Sequence, residues 1–299
     1  MPVTLYPPIA ILLFATNALI PQLGIITGIF SPLVLLLYMA HPQRGKHTDI
    51  MLGVLIAALG FYNHILAGFF LISPLFTAFF IRYCNRRNFY KNWMPTTGSA
   101  LLSFSVIMFI IYMIPSYKEG LVQFTTNTLS MFMEAAKEVN APMVSSPYYA
   151  QIAQDPRQSA TALVMIFPAF NFIYTAAAAF ISLNLFARIK RVEIERFRLP
   201  DSFVWIFISG LAIIFLNSIT LRFIGLNIMI VFLTLYTFQG FEVVSFWLNK
   251  AKLLPILKAI IFVFIFSEPP IILIISLVGL FSIWFNFFGK QKEEEEKSE

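Results

Sequence analysis

From Ser202 to Phe241 the chain carries one charged residue, Arg222, and Leu101 to Pro115 carries none. Runs of this kind decide the fold class. About 20 apolar residues, rising 1.5 Å each, cross the ~30 Å hydrocarbon core of a bilayer. Inside that core every backbone N–H and C=O must be bonded within the protein, which leaves helices or closed barrels. The runs lack the alternation of a barrel strand, so they read as transmembrane helices. Composition agrees: charged residues make up 12% of the chain, against about 25% in a soluble domain. Mean hydropathy is +0.79. A single cysteine, Cys84, excludes an intramolecular disulfide framework and an all-cysteine metal site.

Basic residues divide the apolar runs and set a topology. Arg44 and Lys46 form one cluster; Arg82, Arg86, Arg87 and Lys91 a second. Arg188, Lys190, Arg191, Arg196 and Arg198 form a third, and Lys250, Lys252 and Lys258 a fourth. Short loops rich in Lys and Arg stay in the cytoplasm, so an even number of crossings separates each cluster from the next. Pro7–Leu23 and Gly24–Ala40 then form a hairpin turning at Pro21–Gln22. Ile50–Ile81 crosses twice, with a turn near Tyr62, Asn63 and His64. Gly98–Pro115 goes out and Ser159–Ala187 returns. Ser202–Leu221 pairs with Phe223–Leu248, and Leu253–Phe266 with Ile271–Phe288. The expectation is an all-α polytopic transmembrane helix bundle of about 8–10 spans, the short segments at 50–81 and 253–266 being crossings or re-entrant. Both termini fall inside a bacterial inner (cytoplasmic) membrane. Met1–Tyr6 has no basic residue and so no signal-peptide character.

The expected organisation is a six-span N-terminal bundle (1–190), a four-span C-terminal region (191–289) and a charged cytoplasmic tail (290–299). Within the first lies a segment unlike a span, 117–158, with charges of both signs and Pro142, Pro147 and Pro156. Leu121, Phe124, Thr128, Leu129, Phe132, Ala136 and Val139 share one face of a helix there, opposite Glu119, Gln123, Asn127, Ser130, Glu134 and Lys137. Such an extracytoplasmic helix either lies flat on the bundle or bilayer or caps a cavity.

Soluble-enzyme motifs are absent, and no paired aspartates or Ser/His dyad occur at matched depths, so the chain reads as a non-enzyme. His41, His47 and Asp49 share a solvated loop, a chance grouping too weak to name a metal site, and no cofactor is implied. Polar groups inside spans are more informative, because burying them unpaired is costly. Tyr236, Gln239 and Glu242 stand one turn apart on one span beside Gly240. Glu242 either pairs with Lys250 or Lys252, or snorkels, or serves as a proton- or cation-responsive carboxylate in a substrate cavity. Asn171, with Tyr174 and the alanine run at 176–179, marks a span that packs closely, and its amide is a further substrate-binding candidate. Arg222 and Glu268, at the outer turns of adjacent hairpins, form a candidate structural ion pair.

The C-terminal third resembles the YybS-like family of bacterial membrane proteins. The resemblance rests on Leu199-Pro200 leading to Trp205, Asn227, Leu235-Tyr236-Thr237-Phe238-Gln239-Gly240-Phe241, Pro255, Pro269-Pro270 and the stretch Gly279 to Phe287. Family members carry Asp where Ser282 stands and Arg near Phe288. It covers residues 195–288, and the N-terminal spans only by hydropathy. That N-terminal part is distantly similar to substrate-binding subunits of energy-coupling-factor vitamin transporters, which implies a six-helix bundle holding a small molecule beneath an outer loop. Two functions follow as expectations: transport-related small-solute binding in an internal cavity, or a non-catalytic scaffold recruiting envelope partners. The expected partners are the lipid bilayer and membrane proteins or further copies of the chain; the basic residues, spread over short loops, do not form a nucleic-acid surface.

Overall fold

The computed structural model describes residues 2–86, 93–139, 141–285 and 287, without the side chains of 17–19, 21, 22, 143 and 148. The charged tail, Arg87, Lys91 and the side chain of Asn17 therefore lie outside the described residues. Fourteen α-helices appear among the rest, with no strand. They are α1 (Tyr6–Leu19), α2 (Pro21–Gly28), α3 (Ser31–Met39), α4 (Lys46–Tyr62), α5 (His64–Phe70), α6 (Phe76–Arg86), α7 (Trp93–Met113), α8 (Pro115–Glu138), α9 (Pro147–Gln154), α10 (Pro156–Lys190), α11 (Phe203–Ile214), α12 (Ile219–Lys250), α13 (Pro255–Ser267) and α14 (Pro269–Phe281). The chain is an all-α polytopic helical bundle.

Four helices are long and apolar enough to cross a membrane: α5 through α6 as one helix (His64–Arg86), α7, α10 and α12. A fifth crossing arises if α13 and α14, bent by 106° at Glu268, count as one. The larger number expected from apolarity requires the short helices to cross as well. The difference lies in where chains break. Ser202–Leu221 reads as a full span, but α11 stops after 12 residues at Ile214, about 18 Å of helix. Ser218 then starts α12 with its hydroxyl facing the Leu221 N–H.

Several expected turns fall where the sequence put them. Ile20 leaves helical geometry ahead of Pro21. Beyond it Thr16 meets Thr27 at 2.6 Å, and the Ser31 hydroxyl donates to the Ala10 carbonyl at 2.9 Å, so α1 packs antiparallel to α2 and α3. At the next break the Asn63 side chain accepts from the Leu66 N–H and starts α5. Between α5 and α6 the helix widens into a π turn over Leu71–Leu75, at the position of Pro74, which has no N–H to continue the regular ladder.

The amphipathic segment folds as α8 and α9; Val122, Met133 and Ala136 are buried, and Leu121 and Leu129 pack on the core. The protein-facing stripe thus shares Leu121, Leu129 and Ala136 with the expected face but is rotated away from the rest of it. Phe124, Met131, Phe132 and Val139 are exposed. Periodicity marks apolar stripes without saying which one meets protein, since in a bilayer both kinds are allowed. The first turns of α8 also wall an apolar cleft of about 620 Å³ against Asn63, Leu66 and Phe69.

The ends of α3, α6 and α10 meet around a shared cleft, with Arg82 and Arg86 on its wall. We refer to this as the basic end of the bundle. α10 runs antiparallel to α7, to which it is tied by Asn171–Ser103 and Tyr112–Met165. It runs parallel to α6, through Ser73–Thr175 and the shared cleft at Arg86 and Phe186.

Candidate functional site

Gln239 is 1% exposed. Its Oε1 accepts from the Leu199 backbone N–H (2.9 Å), and its Nε2 donates to the Gly279 carbonyl (3.1 Å) and the Ser282 hydroxyl (2.7 Å). Both amide hydrogens are therefore spent on protein. The partner at Leu199 belongs to a non-helical strap, 192–200, that joins α10 to the C-terminal helices. Its residues alternate as in an extended chain: Phe197 and Leu199 are buried while Arg196 and Arg198 are exposed. Glu242, one turn from Gln239, lies against the strap near the Phe197 backbone and Arg196. Two α12 side chains thus face the strap, and Gln239 bonds its Leu199 amide. Lys250, a partner suggested by the sequence, instead sits over the Trp247 ring at 4.8 Å.

Tyr236, completing the expected trio, is fully buried against Phe207 and Phe232, and its hydroxyl has no hydrogen-bond partner. Its backbone explains the crowding. A Cβ on Gly279 would lie 1.9 Å from the Tyr236 carbonyl oxygen, and one on Gly240 would lie 2.1 Å from the Ile275 oxygen. Contacts of Leu233 with Ser276, Tyr236 with Gly279 and Gln239 with Ser282 step together, so α12 and α14 run parallel with backbones touching. Small residues permit that approach, which dispersion and hydrogen bonding reward in lipid. The trio is brought together by helix packing, with its amide closed to a solute.

Asn171 is buried and donates to the Ser103 hydroxyl at 2.5 Å, separate from the trio. A residue given no site role in the sequence reading, Asn227 of α12, does more. Its Oδ1 accepts from the Ala169 N–H (2.9 Å), while its Nδ2 donates to the Met165 carbonyl (2.8 Å). Residues 165 and 169 would bond each other in an uninterrupted helix. Beside Pro168, the Asn227 carboxamide has entered that gap and satisfies both ends, a recognised cause of helix bending. The signal available in sequence was a proline inside one apolar span and an asparagine inside another.

Arg222 and Glu268 do not pair. The early end of α11 leaves the Leu216 carbonyl without a helical donor, and Arg222 Nε binds it at 3.0 Å. Among the described residues the ion pairs are Arg44–Asp49 (2.7 Å) and Arg157–Glu119 (2.6 Å). His41, His47 and Asp49 do not assemble either, and no three metal-binding side chains come together among the described residues. Asp49 is engaged by Arg44 and by the Tyr38 hydroxyl (2.5 Å). The Arg44 guanidinium holds its carboxyl below the ordinary carboxylate range, with Tyr38 helping and burial opposing.

The polar atoms without partners lie mostly elsewhere. Thr77 on α6, Thr96 and Thr97 on α7 and Ser182 on α10 are buried, and their hydroxyls have no partner among the described residues. The bonds Ser73–Thr175 and Asn171–Ser103 fix the register of these helices. All four hydroxyls then fall within about two turns, roughly 11 Å, of those bonds on the basic side. Alanines 178 and 179 are buried in the same stretch of α10, and Gly98 of α7 admits the edge of Phe80. Three helices thus share a seam of small oxygen-bearing side chains. Together these features define a polytopic membrane protein in which, among the described residues, four of the unpartnered buried side-chain groups fall in one seam, with the Tyr236 hydroxyl apart from them.

The chain belongs to the family described as predicted membrane protein (DUF2232), whose profile matches residues 8–282. The match therefore extends well beyond the C-terminal third, over nearly the whole bundle. No curated protein and no solved structure matches the chain.

Proposed function

We propose that this protein is a transport-type membrane component that binds a small polar solute in the α6–α7–α10 seam. The observation that supports it is the set of four buried, unpartnered hydroxyls on Thr77, Thr96, Thr97 and Ser182. A buried hydroxyl normally has a partner, and leaving one unmade costs about 1–3 kcal/mol. Four in one seam are accounted for if a ligand's hydroxyl, amide or carboxylate groups complete them. On the positive-inside rule the basic end faces the cytoplasm, and the seam then lies in that half of the membrane. The original candidates Tyr236, Gln239 and Glu242 then serve as the frame and not as the site.

A thermal-shift screen of the purified full chain against small polar metabolites tests this. At least one should raise the melting temperature of the wild type but not of a Thr77→Val/Ser182→Ala variant. A screen in which no compound distinguishes the two proteins contradicts it.

The scaffold reading is favoured by a different observation: Gln239 spends both amide hydrogens on other segments of the chain. Cross-linking in native membranes that traps one partner at fixed stoichiometry would select that reading.

A further inference from the structure

At the basic end, Leu36 and Ala40 of α3, Arg82, Asn85 and Arg86 of α6 and Phe186 of α10 line a cleft of about 240 Å³. Its charges are not balanced. The acidic group whose charge reaches Arg82 is Asp49, and Arg44 already holds Asp49 at 2.7 Å, while Arg86 and Arg44 add like charge. Neither Arg82 nor Arg86 forms an ion pair among the described residues. Arg82 Nη1 is buried and has no acceptor among the described residues. Arginines in the last turn of a helix are favoured by its dipole, which suffices for Arg86. It does not explain a guanidinium nitrogen withdrawn from water with no oxygen against it, a costly arrangement.

We infer that this cleft is a phosphate-binding site, taking the headgroup of an anionic phospholipid or a free phosphate. The guanidinium plane matches two phosphate oxygens, and the Asn85 amide sits beside it on the same wall. Leu36, Ala40 and Phe186 supply an apolar wall suited to the glycerol and first methylenes of a lipid. Basic pockets between membrane helices near the cytoplasmic surface hold such headgroups. This site is separate from the hydroxyl seam and stands whether or not a solute binds there.

The test uses the full chain in nanodiscs of phosphatidylcholine, with or without phosphatidylglycerol, and counts retained lipid by native mass spectrometry. Wild type should retain phosphatidylglycerol in preference to phosphatidylcholine. Arg86→Gln should lower retention about five-fold, and Arg82→Gln/Arg86→Gln about twenty-five-fold, following the ~1 kcal/mol per cation typical of such contacts. Arg157→Gln, at the opposite end of α10, should leave it unchanged. If the double variant does not fold, Arg86→Gln alone carries the test, because Arg86 is exposed. A second arm adds millimolar inorganic phosphate to phosphatidylcholine discs. Stabilisation of wild type but not of Arg86→Gln there would support the site and assign it to a soluble phosphate. Equal phosphatidylglycerol retention by wild type and Arg86→Gln, with no response to phosphate, would overturn the inference.

Discussion

The two parts of the interior use polar residues in opposite ways. In the C-terminal part, Gln239 joins three chain segments and Asn227 joins α12 to α10, each spending its amide on backbone groups: the Leu199 strap amide and the groups beside Pro168. In the α6–α7–α10 seam, four hydroxyls of equal burial face no partner among the described residues, against the Tyr236 hydroxyl alone on α12. Polar burial therefore does not mark a site by itself. What distinguishes the regions is whether the polar atoms are already satisfied by the protein.

That contrast can be broken by substitution. The largest effect belongs to Gly279→Leu, because the new side chain would start 1.9 Å from the Tyr236 carbonyl oxygen and push α14 off α12. A loss of about 3 kcal/mol or more is expected, seen as loss of the monodisperse peak in detergent. Asn227→Leu comes next. It takes the partner from the Ala169 N–H, while the Met165 carbonyl keeps the Tyr112 hydroxyl, at about 1–3 kcal/mol, read from thermal unfolding. Gln239→Leu should cost about 1–3 kcal/mol by freeing the Leu199 N–H, the Gly279 carbonyl keeping the Ser282 hydroxyl. It should also expose the 192–200 strap to limited proteolysis, whereas Glu119→Gln should not. In the seam the sign should reverse. Thr97→Val removes an oxygen that bonds nothing, so stability should rise or stay within about 0.5 kcal/mol. A drop as large as that of Gln239→Leu would erase the contrast.

The smallest effect concerns pH. Arg44 depresses the Asp49 pKa, so the stability contributed by this pair is present above the unfolded carboxylate value. It is lost as pH falls through the lower folded value. Asp49→Asn should flatten the acid limb of the melting curve slightly, since both groups are partly exposed and screened.

The helical membrane class, the breaks at Pro21 and Asn63 and the close packing of residues 175–179 were all legible in sequence. Each is set locally, by uncharged length, by a turn-forming residue or by small side chains. The length of α11 was not, because apolar content continues past Ile214 after the helix has stopped. Nor was the role of Gln239. Its spacing from Tyr236 and Glu242 is visible, but its partners at Leu199, Gly279 and Ser282 are 40 to 43 residues away. The seam escaped for the opposite reason. Threonine and serine are common in membrane helices, where they bond the preceding turn, and nothing in one sequence tells which hydroxyls lack that bond.

Thiol accessibility tests the central contrast most directly. In a Cys84→Ser background, single cysteines at Thr97, Ser182 and Ser276 are exposed in membranes to a small methanethiosulfonate reagent. A seam that admits solute predicts modification at positions 97 and 182, with position 276, pressed against the Leu233 carbonyl, left unreacted. Protection of all three, or equal labelling of all three, would contradict the division of the bundle into a satisfied frame and an unsatisfied seam.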